Sequence, residues 1–138
     1  MNPVQLASIY TSFVNGGNII APYLNSDTGT ASKVLKANVF SQDICNTIFS
    51  DLTQVVANPE GTGNKAYMPN LPLAGKTGTA EIKKSQNDTT GTENGWFIAV
   101  NTNNPKLLVL EMYENVKNKG GSQYVVPNVK SIFKQFCN

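Results

Sequence analysis

Residues 73–84 read LAGKTGTAEIKK, and the four at the centre of this stretch can do chemistry. Lys76, Thr77, Gly78 and Thr79 place one cation, two hydroxyls and one position without a side chain along a short length of chain. Such a set suits a carboxylate, because the hydroxyls donate hydrogen bonds and the ammonium supplies the counter-charge. Gly78 lets another backbone lie close, so an extended peptide could pair with this edge and present its terminal carboxylate to the strip. Strict alternation along a strand puts Lys76 on the opposite face from Thr77 and Thr79. The set therefore converges only if a long lysine at a sheet edge, bordered by another lobe, joins the hydroxyls.

Gly-Lys-Thr also occurs in phosphate loops, which need a glycine five positions before Gly75 and a helix after the Lys-Thr pair. Asn70 holds that position, Pro69 and Pro72 crowd the loop, and the residues after the pair are strand-like, so a nucleotide site is set aside. Taken alone, the four residues equally fit a solvated strand lysine beside two ordinary β-forming threonines.

The rest of the composition narrows the chemistry. The 138 residues are 40% hydrophobic and 14% charged, which describes one soluble globular domain. A net charge of +2 is too small to argue for nucleic acid. No apolar run is long enough to span a membrane, and MNPVQLASIY lacks a signal-peptide pattern, so Met1 reads as a start placed ahead of a helix. The absence of histidine excludes a Ser-His-Asp triad, a Cys-His pair and the commonest metal ligand. Two cysteines cannot build a four-thiolate zinc site or a disulfide framework. Cys45 sits among apolar helical positions and reads as a buried small hydrophobe, while Cys137 lies next to a fraying end. No metal and no cofactor is expected.

The elements that must position the strip emerge from periodicity and punctuation. Asn2 and Pro3 read as N-cap and first helical position, with Gln5 as capping partner; Leu6, Ile9, Tyr10 and Phe13 give the helical stripe, and Asn15-Gly16-Gly17 ends it. NIIAPYL and SKVLKA flank NSDTGTA as a small hairpin. Ser41 opens a second helix with Ile44, Ile48, Leu52 and Val55 on one face, stopped by Asn58-Pro59. The loop 59–72 holds three of the seven prolines yet offers Tyr67, Met68 and Leu71 for packing. Strands are expected at 73–82, 95–102 and 107–114, joined by KSQNDTTGTEN and NNPK as an antiparallel meander. A last helix carries Val125, Val129, Ile132, Phe133 and Phe136 on one stripe. The order makes an α+β domain, a three-stranded meander with flanking helices.

NPVQLASIYTSFVNGG, a helix ending in VV, GTGNKA, AGKTGTAE and GWFIAV occur in that order over nearly the whole chain. This succession resembles the C-terminal part of the transpeptidase domain of class B penicillin-binding proteins, including the low-affinity type seen in β-lactam resistance. The resemblance implies a partial β-lactamase/transpeptidase-like fold and a parent enzyme that cross-links peptidoglycan and is acylated by β-lactams. It implies three motifs in chain order, Ser-x-x-Lys, Ser-x-Asn and Lys-Thr/Ser-Gly, of which the third maps onto Lys76-Thr77-Gly78. By the same resemblance Lys76 sets the electrostatics, and the hydroxyls of Thr77 and Thr79 bind the carboxylate of substrate or drug. The backbone N–H of Thr79 forms half of an oxyanion hole, and the N–H of the nucleophilic serine forms the other half.

Residues 1–138 are thus expected to be a single incomplete domain whose serine nucleophile and N-terminal half lie before residue 1. Ser131-Ile-Phe-Lys134 and Ser85-Gln86-Asn87 match the first two motifs, but both follow Lys76, in reversed order, and nine serines with eleven lysines make chance matches ordinary. The resemblance places the parent protein on the membrane with this domain on the extracytoplasmic face, the isolated chain being soluble and inactive. Its partners would be a peptidoglycan stem peptide or a β-lactam, not nucleic acid. Two other readings stay open: a β-lactam sensor or non-catalytic wall-peptide-binding module of the same fold, and a structural interaction domain. In the family the three strands lie side by side within a five-stranded sheet, and the far edge of 107–114 meets an N-terminal strand. That edge has no proline or lysine within LLVLEMYE, so self-association through it is expected, with Phe133 or Phe136 half covered. Gly61-Thr62-Gly63 reads as a turn, Trp96 as a sheet-core residue and Glu81 as a solvated carboxylate. The 84–94 loop reads as a rim of the cleft or a plain hairpin loop.

Overall fold

The computed structural model describes residues 2–23 and 32–137, which form two compact units with their boundary inside a helix, at Asp51/Leu52. The NSDTGTA stretch lies outside the described residues.

The first unit opens with α1 (Pro3–Thr11), and the capping box is present as its sequence requires. The Gln5 N–H donates to Asn2 Oδ1 at 2.8 Å, and the Asn2 N–H donates to Gln5 Oε1 at 3.0 Å. A 3-10 turn, Ser12–Val14, continues the helix before Gly16 and Gly17 turn the chain at φ 72° and 84°. A short antiparallel pair comes next, β1 (Ile19–Ile20) with β2 (Val34–Lys36). It leads into α2 (Gln42–Ala57). Cys45 is fully buried and its thiol donates weakly to the Ser12 carbonyl, whereas Ile44 stays exposed. The buried stripe of α2 therefore runs through Cys45, Leu52 and Val56, not through Ile44 as periodicity suggested.

The second unit carries the sheet. β3 (Leu73–Ile82), β4 (Thr92–Asn101) and β5 (Leu108–Tyr113) pair antiparallel in the order β3-β4-β5. One face presents Leu73, Phe97 and Ala99 to a core with Val56, Ala66, Met68, Val125, Val126, Val129 and Phe133. The helix α3 (Val126–Phe136) supplies three of these residues. Phe133 is completely buried, while Phe136 at the helix end is 68% exposed. Tyr67, expected to pack, is exposed, and Met68 and Leu71 take the packing role. The β4–β5 connection is organised by one buried side chain. Asn101 donates to the carbonyls of Asn103 and Asn104 and accepts from the N–H groups of Lys106 and Leu107, all within 3.1 Å. Among the described residues no helix is long and apolar enough to cross a membrane.

Candidate functional site

The strip Lys76–Thr79 lies on β3, an edge strand of the three-stranded sheet, where burial along the strand changes to exposure. Register settles which side chains share a face: Lys76 pairs with Ile98, Thr77 with Phe97, Gly78 with Trp96 and Thr79 with Gly95. Thr77 and Thr79 thus project on the face of Phe97, and Lys76 projects on the other, as alternation demands. The lysine nonetheless rejoins the strip, because its Nζ donates to the Thr77 carbonyl at 2.7 Å. The N–H of Thr79 lies on the same side of the strand as that carbonyl, since residues two apart present their backbone groups alike.

The two hydroxyls differ in setting. Thr77 is only 7% exposed, and its Oγ1 lies 2.7 Å from Oγ1 of Thr62. Thr79 is exposed, and its Oγ1 accepts from the N–H of Ser122 at 3.0 Å. Gln123 Nε2 donates to the Thr62 carbonyl, so residues 122 and 123 reach both threonine systems.

Two turns hold these contacts. In the turn after α2, the Gly63 N–H donates to the Val55 carbonyl at 2.9 Å, and Asn64 Nδ2 donates to the Val56 carbonyl at 3.0 Å. A Cβ at Gly61 would overlap the Val55 carbonyl, and one at Gly63 would meet Phe97 and Val55 at 3.2 Å. Thr62 is therefore fixed by backbone packed against the helix end. The second turn, Gly121–Tyr124, comes after a left-handed Gly120.

Trp96 is half-buried beside Gly78, where a Cβ would reach its side chain only at 3.8 Å, an ordinary contact; it is not the enclosed sheet-core residue expected from the sequence. Glu81 is exposed and ion-paired with Lys83, whose hydrogen bond and charge hold the carboxyl below its usual range. Ser131 donates to the Pro127 carbonyl at 3.0 Å on an exposed part of α3, and Ser85-Gln86-Asn87 lies in the β3–β4 loop; neither belongs to the strip. Among the described residues no three His, Cys, Asp or Glu side chains gather as a metal site. Sequence reasoning missed Ser122 and Gln123. The only local signal was the Gly120-Gly121 pair, which marks a special backbone but not what it touches.

The family is now identified by comparison: residues 1–136 match the family described as the penicillin binding protein transpeptidase domain, and the chain belongs to it. Penicillin-binding protein 3 of Bacillus subtilis is 38% identical over 97% of this chain and 20% of its own length. A peptidoglycan D,D-transpeptidase FtsI homolog of Mesostigma viride is 27% identical over 97% of the chain and 26% of its own length. The chain thus spans about a fifth to a quarter of these relatives. Among solved structures, PBPA from Mycobacterium tuberculosis aligns with a TM-score of 0.74 at 21% identity, covering 100% of this chain and 33% of that one. The transpeptidase domain of Burkholderia pseudomallei penicillin-binding protein 3 aligns with a TM-score of 0.69 at 21% identity, covering 96% and 42%. These likenesses establish the fold, α+β with an antiparallel three-stranded sheet.

Proposed function

We propose that residues 1–138 are the C-terminal part of a serine-type D,D-transpeptidase domain, one incomplete domain whose nucleophile is supplied by sequence outside these residues. The observation that carries the reading is the edge strip itself: two threonine hydroxyls on one face, with the Lys76 amine folded onto the Thr77 carbonyl. In the assembled domain, Lys76 provides the positive charge and Thr77 and Thr79 provide hydroxyls for the carboxylate of a stem peptide or a β-lactam. Gly78 leaves room for the bound backbone. The Thr79 N–H stabilises the oxyanion formed when the serine attacks the acyl carbon. The parent protein works at the cell wall, anchored in the membrane with this domain outside. Ser131 has no part in this scheme, because its hydroxyl is committed to its own helix.

The test is intact-protein mass spectrometry after incubation with a reporter penicillin. The isolated chain should show no stoichiometric adduct, because covalent catalysis needs an activated nucleophile beside a base. The full-length protein should acylate, and Lys76→Ala should slow that step by about 2 to 4 kcal/mol of transition-state stabilisation. An adduct on any serine of the isolated chain, or unchanged kinetics in the Lys76→Ala protein, overturns the reading.

The isolated chain is also proposed to self-associate. β5 pairs only with β4 among the described strands, its residues Leu108–Met112 are half-buried, and Phe136 is exposed. An unprotected apolar edge recruits another strand, most simply across a two-fold axis. Size-exclusion chromatography with light scattering at micromolar concentration should give a dimer; a clean monomer refutes the edge pairing.

A further inference from the structure

Beyond the strip, one short turn is built around its hydroxyls. Gly120 and Gly121 take φ 94° and 60°, a left-handed pair that brings the chain after β5 back over the sheet. It lands on the row formed by Thr79, Gly95 and Tyr113. A Cβ at Gly95 would stand 2.9 Å from the Gly121 carbonyl oxygen, and a Cβ at Gly121 would stand 2.9 Å from Thr79 Oγ1. Two glycines on different elements thus admit one close approach. The other end of the turn is held by Tyr124 packing edge-on against Tyr113 at 4.8 Å, with Lys119 over both rings.

The direction of the hydrogen bond matters. A backbone N–H can only donate, so toward Ser122 the Thr79 oxygen is an acceptor. A hydroxyl has one proton, and this contact does not use it. The proton therefore stays free to be donated elsewhere, and the Ser122 N–H polarises the O–H bond in the sense that favours donation to an anion. One residue on, Gln123 ties the same turn to the Thr62 carbonyl, and through Thr62 to the buried hydroxyl of Thr77.

We propose that the turn 120–123 is a positioning device, in which the Ser122 N–H commits Thr79 to donate its proton to a bound carboxylate and Gln123 anchors the turn. This rests on reading the strip as a carboxylate site. Neither Ser122 nor Gln123 is given a contact with the substrate; both act through threonines.

Ser122→Pro replaces the N–H, at the second position of a 3-10 turn where proline's backbone is tolerated, by a ring carbon that also displaces the Thr79 hydroxyl, and Ser122→Ala keeps the N–H. In the full-length protein, acylation would be followed with a β-lactam bearing its free carboxylate and with the methyl ester of the same compound. Ser122→Pro should lower acylation by the free acid about tenfold, the scale of one charge-assisted hydrogen bond, mainly through weaker binding. The ester should change little, and Ser122→Ala should match the parent with both. Gln123→Ala should give a smaller loss of the same selective kind, and in a Thr79→Val background neither substitution should add a further loss. Equal losses with acid and ester would mean that the turn only supports the fold, and unchanged acylation by the free acid would mean that it does nothing for the site; either overturns the proposal. Failure of the carboxylate reading itself is separable, since then Lys76→Ala would not distinguish acid from ester in the unaltered turn.

Discussion

The two ends of the β3–β4 ladder are built on different physics. At one end Leu73, Ala74 and Gly75 face Asn101, Val100 and Ala99, and all six are buried. At the other, Ala80, Glu81 and Ile82 are exposed and face Asn94, Glu93 and Thr92. There Glu81 and Glu93 stand directly opposite each other, a like-charge pair that costs stability in a ladder. Lys83 pairs with Glu81, and Lys117 crosses to the carbonyls of Thr89 and Gly91. The first end is held by excluded water and close packing, the second by local polar contacts. Lys76–Thr79 occupies the change between them. That placement gives the strip a backbone fixed from the packed side, a buried Thr77 hydroxyl, and Lys76 and Thr79 side chains open to a ligand.

Two glycines three residues apart offer the largest test of this contrast. A Cβ at Gly75 would stand 2.7 Å from the Ile98 carbonyl oxygen and about as close to the Phe97 ring, so backbone must shift. Gly75→Ala should cost about 1 to 3 kcal/mol of stability, as overpacking of a dense core does. At Gly78 the same Cβ meets only Trp96, at 3.8 Å and 3.9 Å. Gly78→Ala should therefore leave stability within about 0.5 kcal/mol, as surface changes usually do, yet slow acylation in the full-length protein by crowding the bound backbone. Urea unfolding of the two variants, paired with acylation rates, checks both halves. Equal destabilisation would mean that packing extends through the strip and that the contrast is misplaced.

How much of this was legible in the sequence depends on the range of the contact. The capping box at Asn2, the β3 boundaries and the burial of Cys45 arise from local chemistry and were readable. The opposite faces of Lys76 and Thr77 were readable too, because a period of two needs no partner. What could not be read were contacts between distant segments: Ser122 with Thr79 across 43 residues, and Gln123 with Thr62 across 61. Ile44 misled because an apolar residue at helical spacing says nothing of whether a neighbour covers it. Trp96, read as a sheet-core residue, misled similarly, since its register places it beside Gly78. The role of Asn101 was hidden because NNPK looks like an ordinary turn until one asparagine is seen to satisfy four backbone groups.

The smallest expected effect lies at the polar end. Asp88 organises the β3–β4 loop by accepting from the Thr90 hydroxyl and from the N–H groups of Thr90 and Lys84. These bonds, the Thr90 hydroxyl first, hold its carboxyl down to about 2. A carboxyl depressed in the folded state favours folding above its ordinary value of 3.8, and that contribution is lost as pH falls through about 2. The group is solvent-exposed, so the loss should open the loop without unfolding the chain. Amide exchange tracked from pH 5 to pH 1.5, corrected for intrinsic rates, should show the Lys84 and Thr90 amides losing protection near pH 2. Asp88→Asn should show lower protection at both sites throughout, with no such step. The amide of Ala74 should stay protected over the same range, being held in a packed part of the ladder that contains no titrating group. If both ends of the ladder opened together, the strip would sit within one cooperative block, and its open side chains would need another explanation.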